Sequence, residues 1–460
     1  MHRKSDLQIL ENIYLRESND IVLVYGDSFC DADDLIKSFM KNKKGLFYDA
    51  LCVTEEAQRM IFADHIRQMG KSVFPGNIQN DSVLASFLSI HADEKRVLVI
   101  NDFQYLLRRN KTYINYLSGE LIGSHNQGNL MVILVSKDLH FVNNEMAEII
   151  GKKVYEFSAS IHIKPLLFSE RYNLLKNIDD DFGKNLISVI LGGNEVFYDY
   201  DFTGDYKKCI LEFVLDDNRA FISYMNNLLP EDIRRKTVYN SILYFLSKKI
   251  NKLNDLHNAL NMDRSKVMIY LNTLVDYGIV EKCESIEAGE KDDTLKGSYR
   301  ISNSSVNFYY RFLFPNRAQH FMLDRETFFK KYIESGLVSF VSEYYPRICM
   351  EQVLMLGEKG RLSFEIEDMG EYHDKTGAID FIIKVKGGNI ICCGTDFGAM
   401  YMSSNKLEDI KKSIKRYKID CDNIWLFSRE GFDQKLNMTA SINPMVKLIT
   451  GNIDIFGVRC

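Results

Sequence analysis

Four short runs of apolar, largely β-branched residues punctuate the first third of the chain: "IVLVY" (21–25), "GLFYDA" (45–50), "RVLVIND" (96–102) and "LMVILVS" (130–136). "KKVYEFSAS" and "IHIKPL" follow them and complete the series by residue 165. A strand with no polar alternation has no face to offer water, and strands separated by helical patterns run parallel, so an α/β sheet covered on both sides is expected. After the first run, "DDLIKSFM" places Leu35, Ile36 and Phe39 at helical spacing, which packs that helix on the sheet.

The chain has 460 residues, and at about 150 residues per domain two to four domains are expected. A composition of 46 % hydrophobic and 26 % charged residues suits a water-soluble protein with a large core. The net charge of −5 excludes a molecule that is basic all over, so any nucleic-acid surface must be local. Nine scattered cysteines without a CxxC pair argue for a reduced, cytoplasmic setting rather than a disulfide or zinc framework. The absence of an apolar run of about 18 residues argues against a membrane span.

From residue 206 the pattern turns helical, with "YKKCILEFVLD", "AFISYMNNLL" and "KTVYNSILYFLSKKI". "LNDLHNAL" (253–260), the turn "NMD" and "RSKVMIYLNTLVDYG" (264–278) then read as two short helices. "IVEKCESIE" and "GSYRIS" follow as two strands around a charged loop. Helix, turn, helix and hairpin describe a winged helix. Beyond residue 319 the pattern is mixed: "AIDFIIKVKGGNIICCGTDFG" reads as two strands joined at "KGGN", and "SNKLEDIKKSIKRYKI" as an amphipathic helix. The expected domains are 1–205, a P-loop-type parallel sheet; 206–318, a helical extension with a winged helix; and 319–460, a second α/β unit.

The segment "IVLVYGDSFCDADDLIKSF" has the layout of a phosphate-binding strand, loop and helix. A working loop has the form GxxxxGK[ST]: backbone N–H groups wrap the phosphates, the lysine reaches them and the hydroxyl holds magnesium. With Gly26 as the first glycine, Asp31 replaces the second, Ala32 the lysine and Asp33 the Ser/Thr. Asp27, Asp31, Asp33 and Asp34 place carboxylates where a triphosphate would sit, while Ser28 leaves one hydroxyl. Such acids instead cap the helix and complement its dipole, at about 0.3–1 kcal/mol each. "RVLVINDFQYLL" ends in Asn101 and Asp102, where nucleotide hydrolases carry an acidic pair for magnesium and water, and Asn101 lacks the charge. Ser136 closes the fourth run at a position suited to sensing a γ-phosphate. The degenerate nucleotide site therefore comprises Gly26, Asp27, Ser28, Asp33, Asp34, Asn101, Asp102 and Ser136.

In order, these segments resemble the archaeal-type AAA+/STAND-like P-loop ATPase family that carries a winged helix and a C-terminal restriction-endonuclease-like domain of unknown function. "HRKSDLQILENIY" is similar to its opening helix, "VYGDSFCDADDLIKSF" to its phosphate loop and "VLVINDFQYLLRRN" to its second acidic motif. "MVILVSKDLHF", "SIHIKPLLFSERYNLL" and "LGGNEVFYD" resemble its sensor strand, the segment after it and its Gly-Gly signature without the usual proline. "ILYFLSKKINKLNDLHNALNMDRSKVMIYLNTLVDYGIVEK" and "GSYRISNSSVNFYYRFLFPNR" carry the most specific likeness. The resemblance implies an ATPase ancestry. The departures at Asp31, Ala32 and Asn101 imply a pseudo-ATPase with no catalytic residue and no tightly held cofactor, or a weak ATP- and magnesium-binding protein using Lys37, Lys152 or Lys153.

The nuclease-like resemblance implies an Asp and a following Glu-x-Lys around a metal. Asp380 supplies the first, but Thr395 and Phe397 stand where the acid and lysine belong, Asp396 is offset to the other strand face, and Glu343 and Glu351 are off-register. A packed core without a metal is expected there, with Trp425 as core. For nucleic acid, the positive cluster from 231 to 270 nominates Arg264, Ser265 and Lys266 at the start of the recognition helix, with Lys248 and Lys249 beside it. Lys291 and Lys296 in the wing are offset by Asp292 and Asp293. DNA contact, a protein partner through the same module and a purely structural role all remain compatible with these residues.

Overall fold

The computed structural model describes residues 3–27, 32–68, 95–109, 130–151, 157–229, 233–289, 298–373, 376–398 and 400–450. The first sheet has five parallel strands: β1 (Asp20–Gly26), β2 (Gly45–Asp49), β3 (Arg96–Asn101), β4 (Leu130–Ser136) and β5 (Ala159–Ile163), in the order β2-β3-β4-β1-β5. The fifth strand is a single run, and Lys152 and Lys153, named as substitute cations, lie outside the described residues.

Alternation in β1 shows why the runs had to be apolar throughout. Val22 and Val24 pack with α1 (Lys4–Tyr14) and α2 (Asp33–Met40), including Leu35, Ile36 and Phe39. Ile21 and Leu23 face the opposite layer, with Phe62 and Ile66 of α3 (Glu55–Gln68) and Leu106 and Leu107 of α4 (Gln104–Arg109). Successive side chains of a strand point to opposite faces, so a sheet covered on both sides needs apolar residues at every position. The expected doubly covered P-loop-type α/β sheet is what the chain forms.

Helices follow, among them α5 (Phe168–Leu174) and α6 (Asp181–Leu191). The "LGG" signature ends α6 by close approach. A Cβ on Gly192, at φ 64°, would lie 2.3 Å from Asn303 Oδ1, and one on Gly193 would lie 2.5 Å from Pro165 Cβ. Only glycine fits both positions. Next come α7 (Lys236–Ser247), α8 (Leu253–Leu260) and α9 (Arg264–Asp276), then the antiparallel hairpin of β6 (Val280–Lys282) and β7 (Tyr299–Ile301). Leu256, Val267, Leu271 and Leu274 bury the helix seams in one core. The wing residues Lys291, Asp292, Asp293 and Lys296 lie outside the described residues.

The last part contains α10 (Tyr345–Glu358), with Pro346 in its first turn where a missing N–H costs nothing. Its sheet is mixed: β8 (Ile366–Glu371), β9 (Phe381–Val385), β10 (Ile390–Asp396), β11 (Asn423–Ser428) and β12 (Val446–Thr450), in the order β12-β11-β10-β9-β8. β10, β11 and β12 are parallel, while β8 and β9 pair antiparallel. The turn at "KGGN" has Gly387 and Gly388 at φ 107° and 100°. The helix α11 (Ser404–Arg416) covers one face, and Trp425 is core, 5 % exposed beside Phe364.

Candidate functional site

The carboxyl ends of β1, β4 and β3 lie side by side, with Tyr25 opposite Ser136 and Ile100 opposite Leu134. Ligands of open α/β sheets bind in the crevice outside such ends. Gly26 closes β1 and Asp27 follows; Ser28 and Asp31 lie outside the described residues. Ala32 is the N-cap of α2, buried, and makes no side-chain capping bond. Asp33 is in the first turn of α2, and its carboxylate meets Lys137 Nζ at 3.4 Å. Asp34 is exposed in the first turn, where its charge still suits the helix dipole. Lys37, proposed as a substitute cation, is exposed in the last turn of α2.

Lys137 is the functional candidate that motif reading missed. It follows Ser136 directly and comes from β4, while the motif places its lysine before α2. The polar groups behind it are already engaged with one another. Asn101 Nδ2 donates to Asp49 Oδ1 at 2.7 Å, Gln104 Nε2 donates to Asp102 Oδ1 at 3.1 Å, and Ser136 Oγ donates to Gln104 Oε1 at 2.8 Å. Gln104 thus bridges the acidic and sensor positions. Burial pushes the Asp102 carboxyl up; the Gln104 bond and Lys137 oppose this, while Asp49 and Asp33 add to it. No group of three His, Cys, Asp or Glu side chains among the described residues has metal-binding geometry.

Beside this row, Arg108 forks between Asp138 (2.9 Å) and Glu145 (2.7 Å). Its hydrogen bond to Glu145 holds that carboxyl below the usual range, whereas burial raises Asp138. His140 lies 3.3 Å from both Glu145 and Asp276, which links the segment after β4 to the last residue of α9. Just beyond, Gly278 at φ 71° approaches so closely that a Cβ there would be 3.3 Å from Asp27 Cβ. The end of α9 therefore closes over the strand end. A cavity of about 190 Å³ remains, lined by Asp27, Arg171, Gly278, Asn303, Tyr344 and Glu351 among others. That is below the ~300–1,000 Å³ usual for a small-molecule site.

Arg264, Ser265 and Lys266 are exposed in the first turn of α9, with Lys266 3.4 Å from Asp263. Lys248 and Lys249 are placed elsewhere, just beyond α7. Lys248 Nζ donates to the Arg311 carbonyl at 3.1 Å, and Lys249 pairs with Glu343 at 2.8 Å. In the C-terminal part, Asp380 Oδ2 accepts from the Thr395 amide (2.7 Å), the Thr395 hydroxyl (3.2 Å) and Lys406 (3.0 Å). Asp396 Oδ1 accepts from the Gly398 amide, and Phe397 is buried. Glu351 is a cap: its carboxylate accepts the amides of Phe168 and Ser169 at the start of α5, at 2.9 and 3.0 Å. Glu343 is held by Arg311.

The comparisons with known proteins reach most of the chain at low identity, and one family model matches within its second half. Residues 309–397 match the family DUF234, archaea bacterial proteins of unknown function. With the parallel sheet before it, this DUF234 segment agrees with the resemblance to an archaeal-type P-loop ATPase family whose C-terminal part is of unknown function. The uncharacterized protein MJECL04 of Methanocaldococcus jannaschii is 20 % identical over 398 residues, covering 83 % of each chain. Among solved structures, the Walker-type ATPase PABY2304 of Pyrococcus abyssi is 16 % identical, covering 67 % of this chain and 95 % of its own, at a TM-score of 0.44. The ORC2 protein of Aeropyrum pernix is 12 % identical, covering 70 % and 95 %, at 0.40. Likeness at these levels extends to neither activity nor partner. The DUF234 segment runs from the residue before Tyr310 through Glu343, Glu351 and Asp380 to Phe397, so it includes Arg347 and Glu371 but not their partners Glu281 and Arg300.

Proposed function

We propose that this protein is a pseudo-ATPase regulator: a P-loop-type domain (1–205) whose nucleotide chemistry is lost, a winged helix (within 206–318) that contacts DNA, and a degenerate nuclease-like domain (319–460). The observation that carries the reading is the Lys137–Asp33 pair at the head of α2. Lys137, a cation beside this crevice, is met by a carboxylate, in the place where a phosphate would need the charge. Asn101 and Ser136 are likewise turned to Asp49 and Gln104. For DNA, the exposed Arg264, Ser265 and Lys266 support contact through the first turn of α9. No helix among the described residues is long and apolar enough to cross a membrane.

Melting with and without millimolar Mg-ATP tests the first half. The native protein is expected to show no shift, and the Asp31→Gly/Ala32→Lys/Asp33→Thr variant a rise, since ligand at 100 times its dissociation constant adds about 2.7 kcal/mol. A rise in the native protein favours a second reading, residual nucleotide binding in which Lys137 leaves Asp33 for a phosphate, and Lys137→Ala then abolishes it. For the second half, Arg264→Ala/Lys266→Ala is expected to lower the slope of log affinity for duplex DNA against log salt by about two. An unchanged slope removes α9 from the interface.

A further inference from the structure

The side chains of α9 are committed by direction. Val267, Leu271 and Leu274 are buried in the core of the helical middle. Met268 turns to the hairpin, where its sulfur accepts from the Tyr299 hydroxyl at 3.4 Å. Tyr270 turns to the head of α7, where its hydroxyl accepts from Arg235 at 3.0 Å, and the Thr273 hydroxyl bonds back to the Ile269 carbonyl. At about 100° per residue, Ser265, Ile269, Asn272 and Asp276 are left on the side opposite the buried seam. Asp276 is fastened to His140, whereas Ser265, Ile269 and Asn272 are exposed.

Ile269 is 64 % exposed, while Val267, Leu271 and Leu274 are at 0 %. A single exposed isoleucine is ordinary on a protein surface, so its neighbours are what select a partner. Asn272 follows it at the next turn of the same face. Cations flank the stripe: Arg264 and Lys266 are exposed in the first turn, and Arg235 is held beside it by Tyr270. Arg235 sits at φ 61°, a left-handed conformation that costs a residue with a Cβ and is kept where the surroundings fix it. Against these three cations stands Asp263, 3.4 Å from Lys266. Both side chains of that pair are more than 60 % exposed, so water screens it and Lys266 gives it up readily.

We propose that this stripe reads A·T base pairs in the major groove of duplex DNA, with Asn272 on adenine and Ile269 on the methyl group of thymine. The inference rests on the reading that α9 contacts DNA. An asparagine amide matches the donor and acceptor that adenine shows in the major groove, and the thymine methyl is the apolar feature that the groove offers. A hydroxyl such as that of Ser265 serves any base pair, so the choice falls to the other two. The rise from Ser265 to Asn272 is about 10 Å, which spans about three base pairs. Arg235, Arg264 and Lys266 supply charge for the phosphates that border the groove. Three cations around one apolar side chain suit a polyanion better than an apolar protein groove.

Competition by fluorescence anisotropy on the full chain, at one salt concentration, tests this with three duplexes. One is built of A·T pairs alone, one of G·C pairs alone, and the third is the first with uracil in place of thymine, which deletes only the methyl. The A·T duplex is expected to bind about tenfold tighter than the G·C duplex, with the uracil duplex between them. Asn272→Ala and Ile269→Ala are each expected to reduce the preference, and Ile269→Ala to abolish the effect of uracil. Both side chains are exposed, and unchanged melting temperatures verify the folds. Arg264→Ala/Lys266→Ala is expected to lower the salt slope and leave the preference intact. A preference that survives in both single variants, or that ignores uracil, arises from groove shape read elsewhere and would overturn the proposal. Equal affinity for the A·T and G·C duplexes, with a salt slope that still depends on Arg264 and Lys266, would overturn it and leave the DNA-contact reading standing. No binding to any duplex would remove both and leave the Ile269 face to a protein.

Discussion

Asp102 sits at φ 49°, a left-handed conformation that asparagine and aspartate tolerate better than other side-chain-bearing residues. Its buried carboxyl is raised in the folded state, which therefore holds the proton more tightly than the unfolded chain. The sign follows. Stability is lost as pH climbs from the ordinary aspartate range through the raised value, and the ionised form stays penalised above it. Asp102→Asn keeps the backbone conformation and removes the charge. It is expected to stabilise the protein by about 1 kcal/mol at pH 7. The gain should vanish below the ordinary aspartate range, where the native residue is neutral too; urea titrations at pH 7 and at pH 3.5 measure both. At this scale Asp102 was legible in the sequence as the end of an apolar strand. Its bond to Gln104 was not, because Gln104 has no assigned role in the motif and its link to Ser136 spans 32 residues.

Among the elements, short helices depend on partners supplied from afar. The start of α5 has the amides of Phe168 and Ser169 satisfied by Glu351, 183 residues from Phe168 in sequence, beside the local bond from the Leu167 amide to Glu170. Glu351→Ala leaves two first-turn donors without that acceptor and is expected to cost about 2 kcal/mol, read as a lower urea midpoint with an unchanged slope. Arg108 plays the same part between α4 and the turn after β4. Arg108→Ala strands the buried Asp138 and is expected to cost about 3 kcal/mol by the same measurement. The span of α9 agrees with its periodicity because Val267, Leu271 and Leu274 recur at helical spacing along one buried face. Glu351 looked like a displaced nuclease acid in sequence because residue type and spacing do not say which amide a carboxylate will meet.

Over the whole molecule, the helical middle is held from both sides. Asp276 and Gly278 meet His140 and Asp27, which follow β4 and β1 of the first sheet. The hairpin is tied to the last sheet by the Arg300, Arg347, Glu281 and Glu371 set, and the Ile286 amide donates to the Glu371 carbonyl beside it. Arg347→Ala removes one cation common to both glutamates. Amides of β6 and β7 are expected to exchange about tenfold faster, which hydrogen exchange resolved by residue measures. The sequence by itself determined the elements and their order: apolar runs without alternation dictated a covered parallel sheet, and helical periodicity dictated α2, α8 and α9. It also determined that Ala32, and not a lysine, stands at the position that the phosphate-loop pattern gives to lysine. Tertiary structure alone decided which charges meet. Lys137 reaches Asp33, Glu351 caps α5, and Lys248 and Lys249 turn to Arg311 and Glu343, away from the exposed face of α9. Periodicity is a local property that each segment carries within itself, whereas a salt bridge depends on separations of a few ångströms between residues tens or hundreds of positions apart.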